Sequence, residues 1–207
     1  MRDRRVIAVA AAGVVAVVAI LVVVLTALQP VPEFASLAGS GETGFVAYVR
    51  DEGDGPGTIA VVDLGTGASV DVEAGRDHDV VGWDEQGNLL VREFGPTTDR
   101  MVVVEPSTGE RVRTDTGADA EVLDPVEYAW SRHEDGRLVI ERDSDGRTAS
   151  FTAPDSYEVP TASAMGDDRV VFVDELGRVA VAGLGEDVTP VLVAEGAAPW
   201  WQVVGRP

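Results

Sequence analysis

Two histidines and a large excess of carboxylates are the groups in this sequence with the chemistry of a general base or a hard metal ligand. His78 stands between Asp77 and Asp79, and His133 stands beside Glu134. An imidazole next to a carboxylate can move a proton or ligate a metal. The same neighbours also describe two solvated loop histidines, and the spacing offers no further partner. Two acid-rich loops carry oxygen ligands suited to calcium: Asp51, Glu52 and Asp54 in RDEGDGPG, and Asp143 and Asp145 in ERDSDG. Both lack the closing Glu of an EF-hand loop, and Asp-Gly is also ordinary turn chemistry. Calcium is thus the candidate ion, with Asp51, Asp54, Asp143 and Asp145 as its ligands, and no organic cofactor is implied.

Other chemistries are excluded by composition or context. The chain has no Cys and no Lys, so all 16 of its bases are Arg. Disulfides, thiolate nucleophiles, Schiff bases and P-loop phosphate binding are ruled out. Neither H-E-x-x-H nor G-x-S-x-G occurs. Gly39, Gly41 and Gly44 match G-x-G-x-x-G, but prolines precede the motif and a strand-like run follows it, the reverse of a dinucleotide site. No catalytic residue is assigned. The adjacent Trp200 and Trp201 are the candidate binding residues: on a strand they face opposite ways, one into packing and one toward another layer or a partner, the alternative being that both are buried where the chain closes.

The formal net charge of −20 repels nucleic acid phosphates, so nucleic acid is not expected as a partner. The chain nevertheless opens on a segment made for lipid. Val6 to Leu28 carries no charge and a single hydroxyl, Thr26. At ~1.5 Å per residue it reaches roughly 34 Å, enough to cross a bilayer core as a helix. A cleaved signal would have a shorter apolar region, with a small-residue cleavage site close behind. Arg2, Arg4 and Arg5 precede the span, which predicts a cytoplasmic amino terminus and an extracytoplasmic remainder. The expected order is a cytoplasmic tail (1–5), a transmembrane helix (6–28), a Pro/Gly/Ser linker (29–43) and one extracytoplasmic domain (44–207).

That domain reads as strands throughout. Short runs rich in Val, Ile, Leu, Phe and Tyr alternate with Gly, Asp and Pro clusters, and no helical stripe of ten residues interrupts them. DSDG (143–146) is expected to join two strands through a type I′ turn, and ELG (175–177) likewise. Two phrases recur: TIAVVDLGTGASV, from Thr58, and RMVVVEPSTGERV, from Arg100. A longer period places Trp83, Trp130 and Met165 at matching points, 47 and 35 residues apart, with Trp200 and Trp201 beginning the phrase again. Repeats near this size are the mark of propeller blades. The expectation is all-β: a propeller-like repeat domain of about four blades behind one transmembrane α-helix. The first three strands would take their fourth from the carboxyl-terminal WWQVV.

WSRHEDGRLVI, from Trp130, resembles the repeat of TolB-like β-propellers, in which Trp-Ser-x-Asp-Gly precedes an apolar strand. VVDLGTG and VVEPSTG resemble that family's blade-closing hairpins. Two extra residues stand before Asp135-Gly136, and the Met165 repeat lacks the Trp. The resemblance implies a propeller that contacts other proteins and brings no catalytic residues. The functional expectation is a membrane-anchored, non-catalytic binding or scaffolding module with a protein partner, such as an accessory subunit of an envelope complex. An extracytoplasmic hydrolase with a carboxylate-lined channel is the alternative.

Overall fold

Short runs of Val, Ile, Leu and Ala, most of them buried on both faces, are broken by turn residues at short intervals and pair as strands. The computed structural model describes residues 31–50, 57–72, 78–116, 126–199 and 201–207. Among them every regular element is a strand. In chain order these are β1 (Ala35–Ser36), β2 (Phe45–Arg50), β3 (Thr58–Asp63), β4 (Ser69–Val72), β5 (His78–Trp83), β6 (Leu89–Glu93), β7 (Arg100–Val104) and β8 (Arg111–Thr116). There follow β9 (Tyr128–Glu134), β10 (Arg137–Arg142), β11 (Thr148–Thr152), β12 (Thr161–Met165), β13 (Arg169–Val173), β14 (Val179–Gly183), β15 (Val191–Ala194) and β16 (Val203–Arg206). No helix among the described residues is long and apolar enough to cross a membrane, and the proposed span Val6–Leu28 lies outside them.

The strands form three sheets, none closed on itself: β16-β2-β3-β4, β5-β6-β7-β8, and an eight-stranded sheet in the order β1-β15-β14-β13-β12-β9-β10-β11. The carboxyl-terminal strand completes the first sheet. β16 lies antiparallel to β2, Val203 opposite Tyr48 and Arg206 opposite Phe45. Val203 and Val204 are both buried, and each contributes about 1.5–3 kcal/mol through the apolar surface it removes from water.

The recurring phrase is one hairpin used twice. In the β3–β4 turn the Gly67 N–H donates to the Asp63 carbonyl, and in the β7–β8 turn the Gly109 N–H donates to the Glu105 carbonyl. The β10–β11 turn repeats this pattern, with Gly146 donating to Arg142. In all three the glycine alone has positive φ, so DSDG is a longer turn closed by a left-handed glycine and not type I′. The turn at ELG likewise has only Gly177 left-handed. The type I′ turn is instead at Asp135-Gly136, where both φ angles are positive (52° and 75°) and β9 passes directly into β10.

The sheets pack face to face in succession. One face of β2 and β3 (Val46, Tyr48, Ala60, Val62) meets β13 and β14, and the opposite face (Ala47, Val49, Ile59, Val61) meets β6 and β7. Within the large sheet, β10 and β11 fold against β13 and β14 around Phe151 and Phe172, whose rings stack at 5.7 Å.

Three strands, β5, β12 and β16, run side by side in the same direction. The Thr161 and Ser163 hydroxyls donate to the carbonyls of Pro199 and Val203, at 2.9 and 2.7 Å. On the other side His78 faces Trp201, and Arg206 donates to the Gly87 carbonyl. A regular series of blades would place β9 parallel to these. It runs antiparallel to β12, Ala129 opposite Ala162 and Tyr128 opposite Ser163. The β9–β11 group has three strands, an odd number, and Pro154 and Pro160 bracket the segment where a fourth would lie. Proline has no N–H to give a ladder.

The segment read as a linker is partly ordered on this unit. β1 pairs in parallel with β15. Phe34 packs edge-on against Phe151 and Phe172, and the Arg178 guanidinium lies 4.2 Å over the Phe34 ring. Arg178 is anchored by Asp174, a fully buried carboxylate at 2.6 Å from its Nε. Asp174 also accepts the Tyr157 hydroxyl at 2.9 Å. Burial, then the Asp174 charge, hold the Tyr157 phenol well above its ordinary pKa.

Candidate functional site

The inner strands are built of small residues: Gly82, Ala129, Ala162, Ser163, Ala164 and Gly205. They let the backbones approach closely and leave hollows at both ends. At the end where β5, β12 and β16 begin lies a cleft of about 430 Å³ lined by Asp79, Phe94, Tyr128, Thr161, Trp201 and Gln202 with their small neighbours. Phe94 is 47% exposed, Tyr128 52% and Trp201 38%. Large rings normally bury themselves, so three half-exposed rings around one hollow are a feature of interaction surfaces.

Each ring is held by its own backbone. Tyr128 opens β9, and its carbonyl accepts the Asp143 N–H. The preceding residue, Glu127, is gripped by Arg142 through Nε and Nη2, both at 3.0 Å. Phe94 follows β6 directly and precedes Gly95-Pro96, which ends the strand. Trp201 sits on a turn: its N–H donates to the Ala198 carbonyl, and the Ala198 N–H donates to Val49 of β2. The Thr161 hydroxyl ties that turn to β12 through Pro199.

Asp79 is the only carboxylate among these lining residues. Burial raises its carboxyl above the ordinary Asp value, opposed by the Val80 N–H and by the charges of Arg92 and His78. At the other end of the inner strands a second hollow, of about 300 Å³, has Asp84, Glu127 and Asp167 on its wall. Asp84 there caps a turn, accepting the Asn88 N–H at 2.8 Å and the Asn88 amide at 2.9 Å. Burial raises the Asp84 carboxyl, but these bonds and the Gly87 and Gln86 N–H groups outweigh it and bring it below its ordinary value. Glu127 is taken by Arg142 and the Ser144 hydroxyl. Asp84 and Glu127 thus hold the structure together, while at Asp167 it is the backbone carbonyl that accepts Arg142 and Arg147.

Of the residues singled out from the sequence, Trp201 reaches the cleft, and Trp200 lies outside the described residues. His78 is buried behind Trp201, its ring 6.5 Å away. His133 is exposed on β9, where Nε2 donates to the Tyr157 carbonyl at 2.7 Å. The two histidines do not share a site. Asp145 serves the β10–β11 turn, accepting the Arg147 N–H and lying 3.7 Å from Arg142 and 3.9 Å from Arg147. Its neighbours are therefore cations. Asp143 belongs to the same turn, while Asp51 and Asp54 lie outside the described residues. Among the described residues no three His, Asp or Glu side chains group to hold a metal. Phe94 and Tyr128 were not foreseen. Their signal was an aromatic at the end of an apolar strand, in LLVREF and at the start of YAW, where no core position required one. The chain matches no protein-family model and no curated protein sequence.

Proposed function

We propose that this chain is a single-pass membrane protein, amino terminus in the cytoplasm, displaying a non-catalytic, propeller-like binding domain outside it. The observation that carries the binding role is the cleft with three half-exposed rings and, among the described residues, a single carboxylate. A glycosidase-type hydrolase needs two carboxyl groups about 5–9.5 Å apart across its substrate. The inner strands offer small residues instead, and of the acids at their other end Asp84 is committed to a turn and Glu127 to an arginine. Support for the anchor is the charge-free Val6–Leu28 behind three arginines. Support for a TolB-like propeller is the repeated hairpin, the parallel run of β5, β12 and β16, and the return of β16 onto β2. The β9–β11 group would then be a reversed unit. In this reading the partner is a protein of the same envelope, and the chain is an accessory subunit of its complex. The raised carboxyl of Asp79 is the feature that favours the hydrolase alternative.

A photoreactive phenylalanine analogue at Tyr128 of the full chain, in membranes of cells that make it, tests the reading. The analogue should crosslink one protein partner, and the same analogue at exposed Thr66 should not. Equal labelling from both positions, or hydrolysis of a glycan or peptide that Asp79→Asn abolishes, would overturn it. Protease added outside intact cells should degrade the domain, and full protection would overturn the topology.

A further inference from the structure

We propose that the cleft receives an arginine side chain of the partner polypeptide. The inference rests on the reading of the cleft as the binding site and names what it recognises. Phe94, Tyr128 and Trp201 share one hollow with Asp79. The faces of such rings attract cations, and the flat guanidinium stacks on them while its N–H fork meets a carboxylate. Lysine's compact, strongly hydrated ammonium cannot cover a ring and grip a carboxylate together in this way.

The molecule builds that trio twice within itself. Asp174 holds Arg178 at 2.6 Å while the guanidinium lies 4.2 Å over Phe34. Glu141 holds Arg132 while its guanidinium lies 5.0 Å over Trp130. At the cleft this chain supplies the carboxylate and the rings, and no arginine of the described residues pairs with Asp79. Arg92 stands opposite Asp79 across β5 and β6 and acts on it only at a distance.

Gln202 favours a polypeptide over a free small cation. Its amide nitrogen is buried and has no hydrogen-bond partner among the described residues. Turning the amide about its last side-chain bond offers that N–H to an acceptor at no cost in existing bonds to it. A backbone carbonyl beside an arginine is such an acceptor, and an alkylammonium ion carries none. The net charge of −20 draws basic segments toward the domain before they dock.

The test uses the full chain in detergent micelles at about 0.15 M salt, where long-range attraction is screened. The probes are acetyl-Gly-Arg-Gly-amide, its lysine and citrulline counterparts, guanidinium and tetramethylammonium, followed by indole fluorescence and calorimetry. The arginine peptide should bind about tenfold or more tighter than the citrulline peptide, because a charge-assisted bond is lost. Asp79→Asn should narrow that difference to what the ring faces alone give a cation, and leave citrulline binding unchanged. Tyr128→Ala, at a half-exposed position where folding should survive, should weaken the arginine peptide several-fold, and circular dichroism checks the fold of both variants. Equal binding of arginine and citrulline peptides, or no effect of Asp79→Asn, overturns the proposal. Guanidinium or tetramethylammonium binding as tightly as the peptide overturns the polypeptide assignment. A partner that crosslinks at position 128 while the arginine peptide fails to bind overturns this inference and leaves the binding role standing.

Discussion

A methyl group added at Gly205 tests the packing of the carboxyl-terminal strand against β12. A Cβ built on Gly205 would lie 2.7 Å from Met165 Cγ, 2.8 Å from Sδ and 2.9 Å from Cβ. The last of these is fixed to the β12 backbone, so a rotamer change does not clear the contact. Met165 is fully buried among Val46, Val171 and Val203 and has nowhere to retreat. Gly205→Ala should therefore cost about 1–3 kcal/mol, the usual range for overpacking a tight core. Gly205 is not among the left-handed glycines, so alanine meets no backbone penalty there. Met165→Ala alone should cost about 2–5 kcal/mol through lost burial and the cavity left behind. In that background the contacts with Cγ and Sδ are gone, and only the 2.9 Å contact with the Cβ at position 165 remains. The same change should then cost less than in the native background, by about 0.5–2 kcal/mol, as expected for residues in contact. A double-mutant cycle by guanidinium unfolding of the full chain in one detergent reads this coupling. Effects of Gly205→Ala that agree within ~0.5 kcal/mol in the two backgrounds would mean independent sites, and the inner-strand arrangement would be wrong.

Asp174→Ala strips Arg178 of a buried partner and should cost about 3–5 kcal/mol, whereas Tyr157→Phe removes one neutral donor and should cost about 1 kcal/mol; equal losses by urea titration would refute the network. Asp79→Asn should raise the melting temperature at neutral pH, because a carboxyl raised by burial stabilises the fold only while protonated. That gain should vanish below the unfolded carboxyl pKa of about 3.9, and a gain that persisted there would have another cause. Asp135→Val forces a β-branched residue into a left-handed position (φ 52°) and should cost about 1–2 kcal/mol, while Asp135→Asn should be close to neutral. Similar losses for both, in the same titration, would place the type I′ turn elsewhere.

Most strands were legible because short apolar runs end at Asp and Gly. NLLVREF, RLVIER and RVVFVDE announce themselves in this way. The pairing of β16 with β2 was also within reach, since the first sheet lacked a strand and the chain end offered one. β12 was not. Thr161–Met165 is Thr-Ala-Ser-Ala-Met, with weak strand propensity and a single large apolar residue. β1 was hidden in a segment whose prolines and glycines suit a linker, and only Phe34, docked against Phe151 and Phe172, ties it down. Turn type failed for a related reason. Asp-Gly fits both a type I′ turn and a longer turn with one left-handed glycine, and the number of residues between ladders decides which one forms. Val6–Leu28, Asp51, Asp54 and Trp200 lie outside the described residues, so the anchor and half of the calcium candidates remain readings of sequence.

The residues that concealed β12 also make the cleft. Ala162, Ser163 and Ala164 bury little surface of their own, so hydrophobic periodicity passes over them. They are small because β9, β12 and β16 crowd one another, and Ser163 is needed for the hydroxyl it gives to Val203. Strands this thin cannot fill the space at their ends. The space falls instead to residues placed just before or after the strands: Phe94 past β6, Tyr128 at the head of β9, and Trp201 ahead of β16. Such positions are free of the in-and-out rule that governs a strand interior, so an aromatic there serves no core. Trp130 lies inside β9, opposite Glu141, and is half exposed there too. The two extra residues of its repeat lengthen β9 and leave its ring half exposed, whereas Met165 at the matching point is fully buried. Equivalent positions of the repeat thus have opposite fates. Aromatic residues at strand ends next to small inner strands are accordingly where a sequence of this kind should be searched for its partner site.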